Sequence, residues 1–295
     1  MEGVMMRGQR YMAVAVRSPS SEIVVRSEEL PKRLYQGPFA RIPFLRGSIV
    51  IWDTLGLGMR ALMFSADVAM GEEDVKLSKP VAWSTAAIGI ILGVGLFFVL
   101  PVVLTAFLHD RVGSSLIANI AEGVLRLTML VAYVGVIGLF PDIARVYMYH
   151  GAEHKVINAF EGGERLRVPD MLRYSIRHPR CGTNFLLIVG LLAIAVFAPL
   201  GRPSPWPLLI GSRIVLIPVI AGLAYEAIKW GAAHIDHPFI ASIMAPGLAL
   251  QGLTTREPSS DQVEVAATAL REVLRLERPE FLTEEQAEAI PEPIA

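Results

Sequence analysis

The chain lacks several things, and each shortage narrows what it can be. It has one cysteine, Cys181, among 295 residues, so it forms no intramolecular disulfide, and a lone thiol fits a reducing compartment. Charged residues make up only 19%, against about 25% in an average soluble domain. The net charge is -1, which leaves no basic surplus for a nucleic-acid ligand, and none is expected. Residues 1–30 contain no continuous apolar core and include Arg7, Arg10, Arg17 and Arg26. The expectation is no cleavable signal peptide and a cytoplasmic N-terminal region. No internal repeat is visible.

Apolar residues, by contrast, are abundant. They reach 53%, the mean hydropathy is +0.48, and the excess is gathered into long runs. A run of about 20 apolar residues matches a hydrocarbon core about 30 Å thick. Four such runs occur: Trp83–Leu108, Gly123–Phe140, Asn184–Leu200 and Trp206–Tyr225. Pro101 interrupts the first, and a neighbouring helix is expected to satisfy the carbonyl it frees. Lysine and arginine number 11 in residues 1–80, 7 in 142–183 and 5 in 226–295, while Arg111 and Arg202 stand alone near the opposite loops. The positive-inside rule then places both termini and the central loop in the cytoplasm, which four crossings satisfy.

The fold class expected is a membrane α-helical bundle of about four transmembrane helices, with a mixed α+β cytoplasmic portion that includes an N-terminal β-hairpin. Its parts are a cytoplasmic α+β region (1–80), a first transmembrane hairpin (81–141), a cytoplasmic loop (142–183), a second hairpin (184–226) and a cytoplasmic C-terminal region (227–295). The β-hairpin is expected from Tyr11–Arg17 and Glu22–Glu28 around Ser18-Pro-Ser-Ser. Ile49–Met70 has a helical pattern but carries Asp53, Arg60 and Asp67, so it is a poor fifth span and suits packing on the domain or the membrane surface. A helix is expected over Asp261–Leu276, capped by Ser260 or Asp261. An acidic tail follows from Pro279.

The polar chemistry concentrates after Pro141. Ile143, Val146, Tyr147, Ile157 and Phe160 recur at helical spacing until Gly162-Gly163. On that helix His150 and His154 lie four apart, and Glu153 shares their face. Two imidazoles so placed can hold zinc or another divalent metal, and Glu153 can take a proton from water that the ion acidifies. His-x-x-Glu-His is the inverted form of the common zinc-protease motif. A wet helix face would also carry such residues, with Glu153 paired to Arg145 or Lys155.

A second string, Ser175 to Asn184, precedes the third run. Its His178 and Cys181 are candidate metal ligands, and Arg177 and Arg180 suit a phosphate or carboxylate. Lys155 is a further candidate for contacting substrate. Topology anchoring and a helix-capping turn account for the same residues without function. Glu226, returning to the depth of His150, is another candidate ligand. His234 and His237 look like ordinary loop residues. Glu122 and Arg126 are expected to neutralise each other, and Arg213 to face Glu122 or a bundle cavity, because an unpaired arginine in hydrocarbon costs at least ~2.5 kcal/mol.

Tyr149-His-Gly-Ala-Glu-His-Lys155 with Glu161, and His178-Pro-Arg-Cys-Gly-Thr183, resemble the YqhQ-like family of bacterial integral membrane proteins. That is a domain-of-unknown-function family catalogued as predicted metal-dependent enzymes. Glu2–Arg7, Arg46-Gly47, Tyr225-Glu226 and Pro246–Pro258 are similar to the same family, so the resemblance covers nearly the whole chain. It implies that these segments are family features. It supplies no separate support for a metal, because the family label is itself drawn from the histidines.

The functional expectation is a metal-dependent (zinc) hydrolase at the cytoplasmic face of the bacterial inner membrane. His150 and His154 would be ligands with Glu226, His178 or Cys181 as the third, and Glu153 would be the base. The substrate is a membrane-protein segment or a lipid-linked group. The alternative is a non-enzymatic scaffold or assembly factor that sits in the lipid bilayer and binds a membrane-protein partner through its cytoplasmic domain. Transport is disfavoured, because no paired broken helices build a midplane site.

Overall fold

The structure is a computed structural model and describes residues 2–31, 42–70, 79–201 and 205–294; the loop residue Arg202 lies outside them. Three strands come first, β1 (Gly3–Arg7), β2 (Tyr11–Arg17) and β3 (Ile23–Glu29). Helix α1 (Leu45–Met70) follows, then α2 (Lys79–Val94), one π turn (Gly95–Val99) and α3 (Leu100–Val112). Next come α4 (Ser115–Ile137), α5 (Pro141–Glu161), α6 (Val168–Met171) and α7 (Gly182–Phe197). The chain ends through α8 (Trp206–Val215), α9 (Ile217–Ala233), α10 (Pro238–Thr254), α11 (Ser260–Glu277) and α12 (Glu284–Glu288).

The expected hairpin is there, with Arg17 opposite Ile23, but it belongs to a three-stranded antiparallel sheet in the order β1-β2-β3. Alternation along β2 sends side chains to two different cores. Ala13 and Ala15, with Val4, Met6 and Val25, face one core shared with Tyr149, Ala152, Val156 and Ala159 of α5 and Val263, Ala266, Leu270 and Val273 of α11. Met12, Val14 and Val16 face the other, closed by Leu57 and Phe64 of α1. The two alanines explain how helices approach so closely on the first side. The C-terminal helix begins one residue before the expected range, and its cap is Ser259: the Ser259 N–H donates to Gln262 Oε1 at 3.0 Å in a capping box.

Four helical stretches are long and apolar enough to cross a membrane: Arg46–Met70, Trp83–Ala106, Ser115–Ile137 and Pro207–Ala233. Three coincide with expected runs. The third expected run, Asn184–Leu200, forms the shorter α7 of 16 residues, and Ile49–Met70 instead reaches spanning length. Along α2 the residues Ile88, Ile90, Ile91 and Leu92 are all exposed, which suits contact with a lipid bilayer.

Inside the bundle the charges are paired. Glu122 accepts from Arg126 Nη2 at 2.8 Å and from Arg213 Nε at 3.3 Å, and Arg213 Nη2 donates to Asn119 Oδ1 at 2.9 Å. Glu122 and Arg213 are both 1% exposed, so Arg213 faces Glu122 rather than lipid. Arg126 Nε also donates to Phe97 O at 2.7 Å. Phe97 is four residues before Pro101, which has no N–H to offer, so the freed carbonyl finds its donor on the neighbouring helix as anticipated.

Candidate metal centre

Helix α5 starts with Pro141 at its first turn and stops at Gly162. Tyr149, Ala152 and Val156 pack into the core beneath the sheet, which fixes the rotation of the helix. His150 and His154 then come side by side, ring centroids 4.4 Å apart. Gly151 between them has no room for a side chain, because a Cβ would overlap the Arg256 carbonyl oxygen of the segment after α10.

The two rings are anchored alike. His150 Nδ1 is 2.9 Å from Thr254 O, and His154 Nδ1 is 2.6 Å from Ile176 O. A carbonyl only accepts, so each Nδ1 carries the proton and each Nε2 keeps its lone pair. Fixing a ligand histidine through its second nitrogen is how metal sites set tautomer and ring angle. Cys181 supplies the third donor, with Sγ 3.2 Å from His150 Nε2. It sits at the start of α7, where its sulfur accepts from Thr183 N at 3.4 Å. One ligand atom from each of His150, His154 and Cys181 lies within 4.8 Å of the others. Tetrahedral zinc needs donor spacings of roughly 3.3–3.6 Å for Zn–N of about 2.0–2.1 Å and Zn–S of about 2.3 Å. The residues therefore fit a divalent ion after a shift on the order of an ångström, with a fourth position left for water or substrate.

Two expected ligands are not brought into the group. Glu226 instead accepts from Arg46 Nε at 2.6 Å and Nη2 at 2.5 Å, tying α9 to the start of α1. His178 lies close by, its ring centroid 5.9 Å from that of His154, but neither nitrogen is free. Its Nδ1 accepts from Arg180 N at 3.3 Å and its Nε2 donates to Glu161 Oε2 at 3.3 Å. Burial pushes the His178 imidazole below its usual value, outweighing Glu161.

The expected substrate contacts divide in the same way. Lys155 is 4% exposed and is committed to Leu172 O at 2.7 Å, Tyr174 O at 2.8 Å and Glu257 at 2.6 Å, so it is a structural tie. Arg177 is exposed and does not line the cleft described below. Arg180 does line it and pairs with Glu161. Arg145 pairs with Glu2 and not with Glu153. His234 bonds back to Trp230 O at 2.8 Å, and His237 caps α10.

Glu153 makes no hydrogen bond or ion pair among the described residues. It lines a cleft of about 760 Å³ together with His150, His154, His178 and Cys181. Burial pushes its carboxyl upward, and the neighbouring His150 offsets that only in part. Sequence reasoning missed the supports of the site. Gln251, fully buried, accepts from His178 N at 2.9 Å and donates to His178 O at 2.8 Å, which pins the turn that carries Cys181. The only pointer to Gln251 and Thr254 was their place in the Pro246–Pro258 string. Backbone carbonyls leave no mark in a sequence.

A family model described as "Protein of unknown function (DUF1385)" matches residues 42–276. The chain is 34% identical over 293 residues to "Uncharacterized protein YqhQ" of Bacillus subtilis (strain 168), a match covering 94% of this chain and 91% of that protein. The chain belongs to this DUF1385, YqhQ-like family. No solved structure matches it.

Proposed function

We propose that this member of the DUF1385 family is a metal-dependent hydrolase set in the bacterial inner membrane, with its centre just beneath the cytoplasmic head groups. One observation carries the reading: two imidazoles with their Nδ1 protons fixed on backbone carbonyls converge with one sulfur beside an unpaired carboxylate. A divalent ion such as zinc, when bound, supplies Lewis acidity that polarises an electrophilic oxygen and acidifies water. His150, His154 and Cys181 would hold it. Glu153 would accept the proton of the attacking water and return it to the leaving group. A carboxyl pushed upward by burial is a stronger base than an ordinary carboxylate, which suits it to that exchange.

The membrane arrangement follows from a parity argument. The sheet, α5 and α11 share one core, so residues 3–29, 141–161 and 260–277 lie on one side of any bilayer. The chain must then cross an even number of times between β3 and α5, and again between α5 and α11. The rod from α2 to α3 paired with α4 satisfies the first, which leaves α1 as a helix lying against the sheet. The short α7 paired with α8–α9 satisfies the second. Four crossings, cytoplasmic termini and the division at 81–141 and 184–226 follow on this reading, the positive-inside rule choosing the side.

Metal analysis of detergent-purified protein tests the centre. Wild type and Glu153→Gln are expected to carry about one zinc per chain, and His154→Ala and Cys181→Ala to lose most of it, as three-ligand catalytic sites require. His178→Gln is expected to retain it. Metal-free wild type with full biological activity sinks the reading. The Lys155–Glu257 ion pair, its lysine buried and its glutamate exposed, ties α5 to the segment after α10 and favours a scaffold as the second reading. A stoichiometric copurifying partner and tolerance of Glu153→Gln in the cell would support that instead.

A further inference from the structure

Two cavities meet at the candidate centre, and Met5, His150 and Glu153 line both. The polar cleft of about 760 Å³ reaches from the centre to Arg10 and Arg278 at its outer end. Arg10 is exposed and makes no ion pair or side-chain hydrogen bond among the described residues. Arg278 reaches Glu280 at 3.8 Å and lies over the Phe281 ring, 4.2 Å from its centroid. Apart from Glu153 at the centre, the acids of the cleft wall are engaged: Glu277 accepts from the backbone N–H groups of Gln9, Arg10 and Tyr11, and Glu161 is held by His178 and Arg180. The outer end is thus a guanidinium-rich mouth suited to an anion.

The second cavity, about 340 Å³, lies between β1, α1 and α5 and is walled chiefly by Val4, Val14, Ala61, Leu62 and Val146. Leu62 lines it and is 46% exposed, on a helix that also exposes Trp52 and Leu55. The cavity therefore opens toward the apolar outside of α1. Ser65, 5% exposed, also lines it, and its Oγ has no hydrogen-bond partner among the described residues. Both volumes are in the range of about 300–1,000 Å³ found for small-molecule sites.

We propose that the molecule this centre acts on is a lipid with a phosphate head group. Its chain enters the apolar cavity under α1, its phosphate lies toward Arg10 and Arg278, and the linkage between them rests beside His150 and Glu153. A peptide laid along the edge strand β1, whose residues line both cavities, is the competing occupant; the almost wholly apolar side chains of the smaller cavity and the two arginines at the far end of the cleft favour the lipid.

The test titrates zinc-loaded, detergent-solubilised full-length protein with lysophosphatidic acid, with a monoacylglycerol of equal chain length and with inorganic phosphate. The expected result is at least tenfold tighter binding of the lysophosphatidic acid than of either comparison. Gly58→Phe is expected to weaken that binding tenfold or more at unchanged zinc content, because Gly58 lines the cavity and a Cβ there meets nothing within 4 Å. Ser65→Leu is a second filler expected to act the same way. Arg10→Ala combined with Arg278→Ala is expected to erase the preference over the monoacylglycerol. Equal binding of either comparison overturns the proposal, as do fillers that leave lipid-phosphate binding intact or displacement by an uncharged apolar peptide. The proposal rests on the hydrolase reading for its chemistry alone. A zinc-free wild type that still selects the lipid phosphate sinks the hydrolase and spares the lipid site, whereas a zinc-loaded protein indifferent to it does the reverse.

Discussion

Gly151 is the residue on which the geometry of the centre turns. It lets the α5 backbone approach Arg256, and that approach brings Thr254 O to His150 Nδ1. Gly151→Ala is expected to push the Thr254–Arg256 segment away and to cut zinc affinity about 10- to 100-fold, the effect of losing an outer hydrogen bond to a ligand histidine. Competition with a zinc chelator measures it, and Gly135→Ala, where a Cβ meets nothing within 4 Å, is the control expected to be silent. At this scale the sequence was informative only where spacing settles the matter. His150, Glu153 and His154 share a helix face by periodicity alone. His178 looked as good a ligand as Cys181, because nothing in the string His-Pro-Arg-Cys tells that Arg180 N and Glu161 occupy both of its nitrogens.

Among the elements, β1 shows how a short strand earns its place through one ion pair at its start. Glu2 is joined to Arg145 of α5, accepts from Tyr149 Oη at 2.7 Å, and so fastens the sheet edge to the helix of the site. Burial raises the Glu2 carboxyl, but Arg145 and the Tyr149 hydroxyl outweigh that and hold it below its ordinary value of 4.5. A depressed carboxyl contributes stability that is present above pH 4.5 and is lost as the pH falls through the folded-state value. Thermal unfolding in detergent should therefore show a component of acid destabilisation below pH 4.5 in wild type that Glu2→Gln lacks. Identical acid profiles would remove this account of the contact. The hairpin of β2 and β3 was legible because its turn and alternating β-formers are local. β1 is only five residues long, so its pairing was not.

At the scale of the whole molecule, the arrangement proposed above rests on the shared core of the sheet, α5 and α11, which requires an even number of bilayer crossings on either side of α5. Hydropathy and length alone pick Arg46–Met70 as a span and pass over Gly182–Phe197. The proposed arrangement takes the opposite choice at both. In a Cys181→Ala background, single cysteines introduced at Pro19 and Glu285 are expected to react with an impermeant maleimide from one side of sealed vesicles, and one at Gly113 from the other. Labelling of positions 19 and 113 from the same side would break the argument.

Sequence by itself determined the apolar runs, the pairing of Glu122 with Arg126 and the imidazole pair, because each depends on composition or on spacing along one helix. Only the tertiary structure decided which third donor joins that pair and which nitrogen of each ring is free. The anchoring carbonyls lie 104 residues from His150 and 22 from His154, and contacts across such separations are set by how helices pack. That packing also joined an apolar cavity to a polar cleft at one carboxylate.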